Sequence, residues 1–556
     1  MVIHTKKKAK IHMHEPKKAK IKGSNIYTVQ RGPKIASAKI NDTGKKKSYR
    51  KSTIHQAEKK EKEPSKFKRN IRESNTSIKT KNTNLHIARR TGALVAGDVT
   101  EQVEGGQEVS QAAYLAYEVS RPVTGTASRG ASLFRKKAVT FSYYKIRGDL
   151  MLKIWNTLTR EKEDFNPIKD GKVSIYTCGP TVYSRAHIGN MRTYIFMDTL
   201  RKVLKYNGYE LNHVMNITDV GHLTSDADEG EDKMEKSAKE KNMSVYEIAK
   251  IYTDAFFKDI GKLNIETPEH VVKATEHIKQ MEEYVIEIMN NGYAYETSKG
   301  IYFDTSKLKS YGELSRIDLN KQRAGARIEV DPEKRNPLDF ALWIKAPKEH
   351  IMKWDSKFGK CYPGWHIECS AMSREYLGDV FDIHTGGVDH IPVHHENEIA
   401  QAKGATGKNP AHYWMHVEFL LIDNGKMSKS LKNVYLIDDL EKKGIEPLAY
   451  RYLCFTSHYR NKLNFTWDSV ESAQKSLIRL RKLTKTHEFG DNKIDEEKVK
   501  KYELDFIEAI NDDLNMPLAV SIAWEVAKQE EKSKQLFELL TVSYTHLRAH
   551  ETRHDL

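Results

Sequence analysis

Hydrophobic and polar positions divide the 556 residues into stretches of different texture. Residues 1–90 are rich in Lys, Ser and Asn, with few apolar residues and no sustained period, which predicts a disordered basic arm. Residues 91–150 are less charged (TGALVAGDVTEQVEGGQEV, then QAAYLAYEVS, then a Gly/Ser/Thr stretch) and form an extension to which no chemistry can be assigned. The texture changes at Met151. MLKIWNTLTREKEDF leads into VSIYTC, residues 173–178, a strand-like run, and a polar loop, GPTVYSRAHIGN, follows at 179–190. Positions Ile188, Met191, Ile195, Thr199 and Val203 then recur at helical spacing, and ELNHVMNIT, residues 210–218, is the next strand. A strand–loop–helix–strand unit predicts a parallel α/β sheet. Ligands of such sheets lie outside the carboxyl ends of the strands, which puts Cys178 and His187 at a site mouth. Residues 233–290 are Lys/Glu-rich with helical spacing, and 293–350 alternate short strands and loops, including RNPLDFALWIK. Residues 361–400 return to α/β texture, and 465–540 read as amphipathic helices beginning at TWDSVESAQKSLIRLRKL.

Charge changes this picture little. The formal net charge of +16 is unevenly spread: residues 1–90 hold 27 Lys+Arg against 6 Asp+Glu, 91–150 hold 7 against 6, and the remainder carries −6. The basic arm can bind polyanions nonspecifically and with steep salt dependence; the body has no such bias. No run of about 18 apolar residues is present, so a membrane span is not expected. Four cysteines, Cys178, Cys361, Cys369 and Cys454, do not make a disulfide framework in a chain of this length. They fit a reducing, cytoplasmic setting and are candidates for metal or thiol chemistry.

Candidate chemistry gathers in three places. VHHENEIAQ, residues 393–401, puts His394 and Glu398 on one helical face, able to hold a metal or to form an ion pair, with His395 and Glu396 directed elsewhere. HIGN, His187–Asn190, follows the first strand. KMSKS, Lys426–Ser430, lies some 240 residues later in a polar loop. Each motif alone is weak. Together, in this order on an α/β pattern, they resemble the two signatures of class I aminoacyl-tRNA synthetases. YTCGPTVY, NPLDFALWIK, PGWHIECSAMS, DIHTGGVDHIPVHHENEIAQ and KMSKSLKN narrow the resemblance to the cysteinyl-tRNA synthetase family, from Met151 to about residue 540.

The resemblance implies an organisation: the first half of a Rossmann-like catalytic domain at 151–290, a connective insertion at 291–355, the second half with the metal helix and KMSKS loop at 356–430, a stem-contact region at 431–465 and a partial helical tRNA-binding domain at 466–540. It further implies that Cys178, Cys369, His394 and Glu398 bind one Zn²⁺ per subunit, a donor set suited to that ion, with His395 facing away or supporting a ligand. Cys361 is the competing thiol, and Cys454, in the apolar run RYLCF, reads as a core residue. His187, Gly189, Asn190, Lys426 and Lys429 would meet the triphosphate of ATP with Mg²⁺, Gly387 and Asp389 the ribose, and Trp365 would lie beside the pocket. The implied partners are L-cysteine, ATP and tRNA(Cys), with no membrane, and the chain is expected to act as a monomer. The implied need for zinc is physical: an apolar pocket separates cysteine from serine by only about 1–3 kcal/mol, whereas a 10⁴-fold preference needs about 5.5 kcal/mol.

Asn190 stands where the signature usually has a second histidine. Residues 1–150 precede the resemblance. TVSYTHLRAHETRHDL, 541–556, departs from it, reads as a non-native tail and would leave the helical domain truncated. Two further readings remain: a cysteine ligase that transfers activated cysteine to an amino sugar, as in mycothiol synthesis, and a non-enzymatic nucleic-acid-binding protein using the basic arm. The helical segment INDDLNMPLAVSIAWEVA, 510–527, favours the tRNA enzyme over the first.

Overall fold

The protein is described here from a computed structural model, covering residues 19–21, 24–26, 150–221, 232–316, 332–428, 431 and 433–547. Most of the 1–90 arm and of the 91–150 extension, Lys429 of the KMSKS loop and residues 548–556 lie outside the described residues. The chain divides into two units, Met1–Pro122 and Val123–Leu556. In the first, Ala19–Ile21 and Ser24–Ile26 pair as a short antiparallel hairpin, a local departure from an unstructured arm.

The second unit opens with the hairpin β1 (Lys153–Asn156) and β2 (Glu161–Asp164). The expected strand–helix–strand unit follows as β3 (Lys172–Thr177), α1 (Ile188–Tyr206) and β4 (Glu210–Ile217). Helices α2 (Lys233–Lys241) and α3 (Val245–Lys262) lead to β5 (His270–Lys273), and α4 (Ile278–Asn290) comes next. An antiparallel insertion then forms from β6 (Ala294–Glu296), β7 (Gly300–Phe303), β8 (Phe340–Lys345), β9 (Trp354–Ser356) and β10 (Gly359–Pro363). The chain re-enters the first sheet through α5 (Trp365–Leu377), β11 (Phe381–Gly387), α6 (Glu396–Thr406) and β12 (Ala411–Val417).

The main sheet is parallel throughout, in the order β12–β11–β3–β4–β5. Alternate residues of its strands enter different cores. Val173, Ile175, Leu211 and Met215 pack with Ile188, Met191 and Ile195 of α1, whereas Tyr176, Val214 and Trp414 pack with Met281 of α4, Ile367 of α5 and Ile399 of α6. Both faces are therefore covered, which is why these strands read as nearly continuous apolar runs. β3 has its sequence neighbour β4 on one side and the late-arriving β11 on the other. The strand order thus reverses between β3 and β11, and the crevice lies at their carboxyl ends. Cys178 directly follows β3, and Gly387 ends β11.

The insertion ends later than expected. β10 pairs with β8 (Trp343 opposite Pro363) as well as with β9, so the antiparallel sheet runs to Pro363 rather than 355. Gly364 makes the return to the parallel sheet possible. A Cβ there would lie 2.3 Å from the Ala341 carbonyl oxygen.

Beyond β12, a hairpin of β13 (Leu420–Ile422) and β14 (Gly425–Lys426) carries the start of the KMSKS loop. Its turn residues Asp423 and Asn424 both have positive φ (49° and 63°), the geometry of a two-residue hairpin turn that Asn and Asp tolerate. Helices α7 (Ile437–Lys442) and α8 (Pro447–Phe455) and strand β15 (Leu463–Phe465), parallel to β13, precede four helices: α9 (Trp467–Lys485), α10 (Glu496–Asn511), α11 (Met516–Ala527) and α12 (Lys534–Leu547). Helix α12 continues through the first seven residues of the 541–556 tail. These helices share one core with α1 through Leu477, Phe506, Ile510, Ala523 and Leu536. Asp513, fully buried between α10 and α11, docks them: its carboxylate accepts from Trp155 N (2.9 Å), Tyr459 Oη (2.6 Å) and Arg460 Nε (2.7 Å).

Candidate active site

The crevice gathers four donors from three distant stretches. Cys178 leaves β3, Cys369 lies in the second turn of α5, and His394 and Glu398 straddle the start of α6. One ligand atom from each lies within 4.8 Å of all the others, and all four residues are at most 6% exposed. The sheet creates this convergence, because β3 and β11 are adjacent despite some 200 residues between them.

Local geometry decides between the two orientations expected of His395. Ile391–His395 is a π-helical turn, in which His395 N donates to the His390 carbonyl five residues back. The wider turn swings His395 inward, so it does not face away. Its Nε2 lies 3.3 Å from Cys178 Sγ and its Nδ1 2.7 Å from His416 Nε2. Gly386 admits this packing: a Cβ there would meet His390 Nδ1 and His395 Cε1, each at 2.6 Å. Cys178, His384, His395 and Glu398 accordingly form a second donor set overlapping the first.

Existing hydrogen bonds separate the two sets. His384 Nε2 already meets Glu398 Oε2 at 2.9 Å, and both ring nitrogens of His395 have partners. His394 Nδ1 contacts His366 Nδ1 at 3.0 Å, which leaves Nε2 on the Glu398 side, 3.1 Å from Oε1. That Oε1 is buried, and His394 Nε2 is the nitrogen nearest to it. A buried carboxylate beside two thiols and an imidazole suits a cation, and this cluster can hold a metal ion.

Electrostatics agree. Burial pushes Glu398 up, but His384 and His394 outweigh it and hold the carboxyl well below its usual range. Burial lowers His394, and the charges of Glu398 and Cys369 outweigh that, raising it to about 10. Burial also opposes a thiolate at Cys369, but the Cys178 thiol donates to it and His394 faces it, so Cys369 is held below its ordinary value while Cys178 is pushed well above. The metal-free pocket is thus a thiolate and a carboxylate compensated by an imidazolium, two anions ready for a cation that displaces protons.

The other two thiols lie elsewhere. Cys361, the competing candidate, is on β10, with Sγ 3.6 Å from the Phe358 carbonyl. Cys454 is buried in α8, and burial pushes its thiol up to about 11. Trp365, at the first position of α5, lies across His394 with ring centroids 4.5 Å apart. His366, His384, His390 and His416 were not singled out in the sequence. For His366, His384 and His416 the one signal is a histidine inside an otherwise buried strand or helix, as in FDIHTGG; His390 lies in the turn after β11.

At the second end of the crevice, His187 is the N-cap of α1. Its Nδ1 accepts from Asn190 N (3.2 Å), and Asn190 Oδ1 accepts from His187 N (3.1 Å). Asn190 therefore serves the cap as acceptor, a role that needs no charge. The KMSKS loop packs here. A Cβ on Gly189 would lie 3.4 Å from Met427 Cε, and Ile188 N donates to the Tyr435 carbonyl at 2.9 Å. Asn433 clasps the loop, accepting from Ser428 N (2.8 Å) and donating to the Lys426 carbonyl (3.2 Å). Lys426 is exposed at the end of β14. Asp389 folds back over the end of β11, with Oδ1 2.2 Å from where a Gly387 Cβ would stand. Two residues before the cap, Arg185 pairs with buried Asp259 of α3 (2.8 Å) and with Asp438 of α7, tying the loop to both helices.

A parallel sheet with a split crossover, a capped helix and the Lys426–Ser428 segment packed against it define a class I aminoacyl-tRNA synthetase catalytic domain. The family described as the class I (C) tRNA synthetase catalytic domain matches residues 164–475. A LeuRS from Agrobacterium radiobacter K84, solved with tRNA and LeuAMS, has a similar fold at 10% identity, with a TM-score of 0.50 over 69% of this chain and 84% of that one. The chain is 49% identical over 395 residues to a cysteine–tRNA ligase of Treponema denticola, covering 67% of this chain and 80% of the relative. It is 48% identical over 380 residues to cysteine–tRNA ligase 1 of Burkholderia lata, covering 68% and 80%. The chain belongs to the cysteine–tRNA ligase family.

Proposed function

We propose that the pocket between β3 and β11 selects L-cysteine through a zinc ion held by Cys178, Cys369, His394 and Glu398, and that ATP lies beside it, between the α1 N-terminus and the KMSKS loop. The reaction is that of the family: the cysteine carboxylate attacks the α-phosphate of ATP and releases pyrophosphate, and the terminal adenosine hydroxyl of tRNA(Cys) then attacks the adenylate. The observation that carries the metal reading is the meeting of four buried donors, two thiols, an imidazole and a carboxylate, whose ligand atoms lie within 4.8 Å of one another. Bound zinc would supply a soft anchor that takes a thiolate in preference to a hydroxyl.

The chain's own residues do the rest. Trp365, lying against His394, shields the donor cluster from water. His187 and Asn190 order the first turn of α1, whose N–H groups and dipole favour phosphate. Lys426 and Lys429 offset charge on the departing pyrophosphate, with Mg²⁺ accompanying ATP. Gly387 and Asp389, at the carboxyl edge of β11, meet the ribose. No protein nucleophile is needed, since positioning and charge stabilisation suffice. The chain acts as a monomer in the cytoplasm, where its free thiols stay reduced; no helix among the described residues is long and apolar enough to cross a membrane.

Replacing Cys369 with Ser tests the reading. The variant is expected to lose bound zinc and cysteine-dependent pyrophosphate exchange while still binding ATP. Full zinc content and undiminished exchange would refute the ligand assignment.

A further inference from the structure

The end of β4 connects the two thiols without touching either. Gly179, next to Cys178, donates its N–H to Asn216 Oδ1 at 2.7 Å. Asn216 Nδ2 donates to Thr218 Oγ1 at 3.0 Å, and the Thr218 hydroxyl donates to Glu368 Oε2 at 2.9 Å. Glu368 is the residue before Cys369. The three side chains are at most 3% exposed. Backbone bonds run parallel to this chain: Thr218 N donates to the Pro180 carbonyl at 3.1 Å, and Val182 N to the Thr218 carbonyl at 3.2 Å. The loop lies so close to β4 that a Cβ on Gly179 would stand 1.5 Å from the Asn216 carbonyl oxygen.

In the metal-free pocket the Cys178 thiol proton and the His394 imidazolium offset the repulsion among the sulfurs and the carboxylate, but neither fixes the separation of the two sulfurs before an ion arrives. Apolar contacts are non-directional, whereas a hydrogen bond to a buried carboxyl group has one preferred length and direction. We infer that the Asn216–Thr218–Glu368 chain is a positioning device that sets the separation of Cys178 and Cys369 and thereby the metal affinity of the pocket. The inference rests on the metal reading above. None of the three residues contacts the ion. They act through the backbone of Gly179 and the adjacent turn of α5.

The alternative is that the chain only stabilises the fold, a role the packing of Ile367, Ala371 and Met372 could share. Zinc affinity of the full-length protein, measured by competition with a chromophoric chelator, separates the two. Glu368→Gln keeps an acceptor for the Thr218 hydroxyl, whereas Glu368→Ala and Thr218→Val break the chain. Glu368→Gln is expected to stay within about threefold of the parent, and the other two to lose about 10–100-fold in affinity, the usual range for supporting partners of metal ligands. The KM for ATP and the melting temperature of the chelated protein should change little. Parent-like zinc affinity in Glu368→Ala and Thr218→Val overturns the inference, as does an equal loss in Glu368→Gln. If Glu368→Ala does not fold, Thr218→Val decides. A parent protein without stoichiometric zinc overturns both the inference and the reading beneath it. Stoichiometric zinc with unchanged affinity in the variants overturns the inference alone.

Discussion

Gly179 and Gly386 show how single residues make the pocket possible. Each lies where a side chain would collide with fixed neighbours: the Asn216 backbone at 1.5 Å in one case, two imidazole rings at 2.6 Å in the other. Gly179→Ala cannot be accommodated by a rotamer change, because the obstacle is backbone. It is expected to destabilise the protein by about 3 kcal/mol or more, at or beyond the upper end of ordinary overpacking, read as a fall in the urea midpoint. The residue scale is also where reading the sequence was both strongest and weakest. Cys178, Cys369, His394 and Glu398 were identifiable because the resemblance names them, and the structure brings them together. His395 is expected either to face away or to support a ligand; the π turn, invisible to 3.6-residue periodicity, decides for the second, against Cys178. The buried histidines His366, His384 and His416 gave no periodic signal, since their partners are tertiary neighbours such as His394, Glu398 and Thr157.

At the scale of elements, the relation of the α1 N-terminus to the KMSKS loop depends on a few cross-links. Tyr435 accepts from Ile188 N, Tyr450 Oη donates to the Ile188 carbonyl, and Arg185 bridges Asp259 and Asp438. Asp259 is 1% exposed, and losing its guanidinium partner would leave a buried carboxylate unpaired. Arg185→Ala is expected to cost about 2–3 kcal/mol, less than the ~3–5 of a fully buried pair because Arg185 is partly exposed. It should also raise the KM for ATP in pyrophosphate exchange more than the KM for cysteine, since it loosens the loop leading to His187. The double variant Arg185→Ala/Asp259→Asn should regain part of the stability. An unchanged KM for ATP would separate this ion cluster from nucleotide binding. The INDDLNMP segment gains a physical account at this scale: Asp513 anchors the helices to β1 and to the segment after α8, so its placement is architectural. The strand–helix–strand unit at 173–218 and the helices from residue 465 are legible from periodicity, but the end of the insertion is not. β9 and β10 are short, and their pairing with β8 is non-local.

For the molecule as a whole, the donor cluster makes stability and metal binding respond differently to pH. Take the metal-free protein first. The depressed Glu398 carboxyl contributes stability that is present above its ordinary value of 4.5 and is lost as pH falls through its folded value. His394, raised from 6.5 to about 10, contributes stability that is complete below pH 6.5 and is lost as pH rises through 10. Cys369, held below its ordinary 9.0, gains over much of the same interval and offsets that loss until it is fully ionised in both states. The chelated protein should therefore show a plateau from about pH 5 to 9, an acid limb from Glu398 and an alkaline limb above 9 to which His394 and Cys178 contribute. On the proposed ligand set, metal affinity should instead climb across the plateau, because His394 gives up its proton on binding: at least about tenfold per pH unit between 6.5 and 9. Melting curves and zinc titrations over this range check both. Zinc affinity independent of pH would contradict the charge state assigned to His394.

The sequence by itself determined the kinds of elements, the texture of a parallel sheet covered on both faces and, through its motifs, the family and the chemical type of the donors. These are local properties, carried by periodicity, by capping residues such as His187 and by the residue types in each motif. Only the tertiary structure decided the rest: that β3 and β11 are neighbours, that His395 turns inward, that Asn216 and Thr218 link Gly179 to Glu368, and that Cys361 lies in another sheet. The reason is that distances between residues far apart in the chain are set by strand order and by the mutual satisfaction of buried polar groups, neither of which is encoded in any one segment.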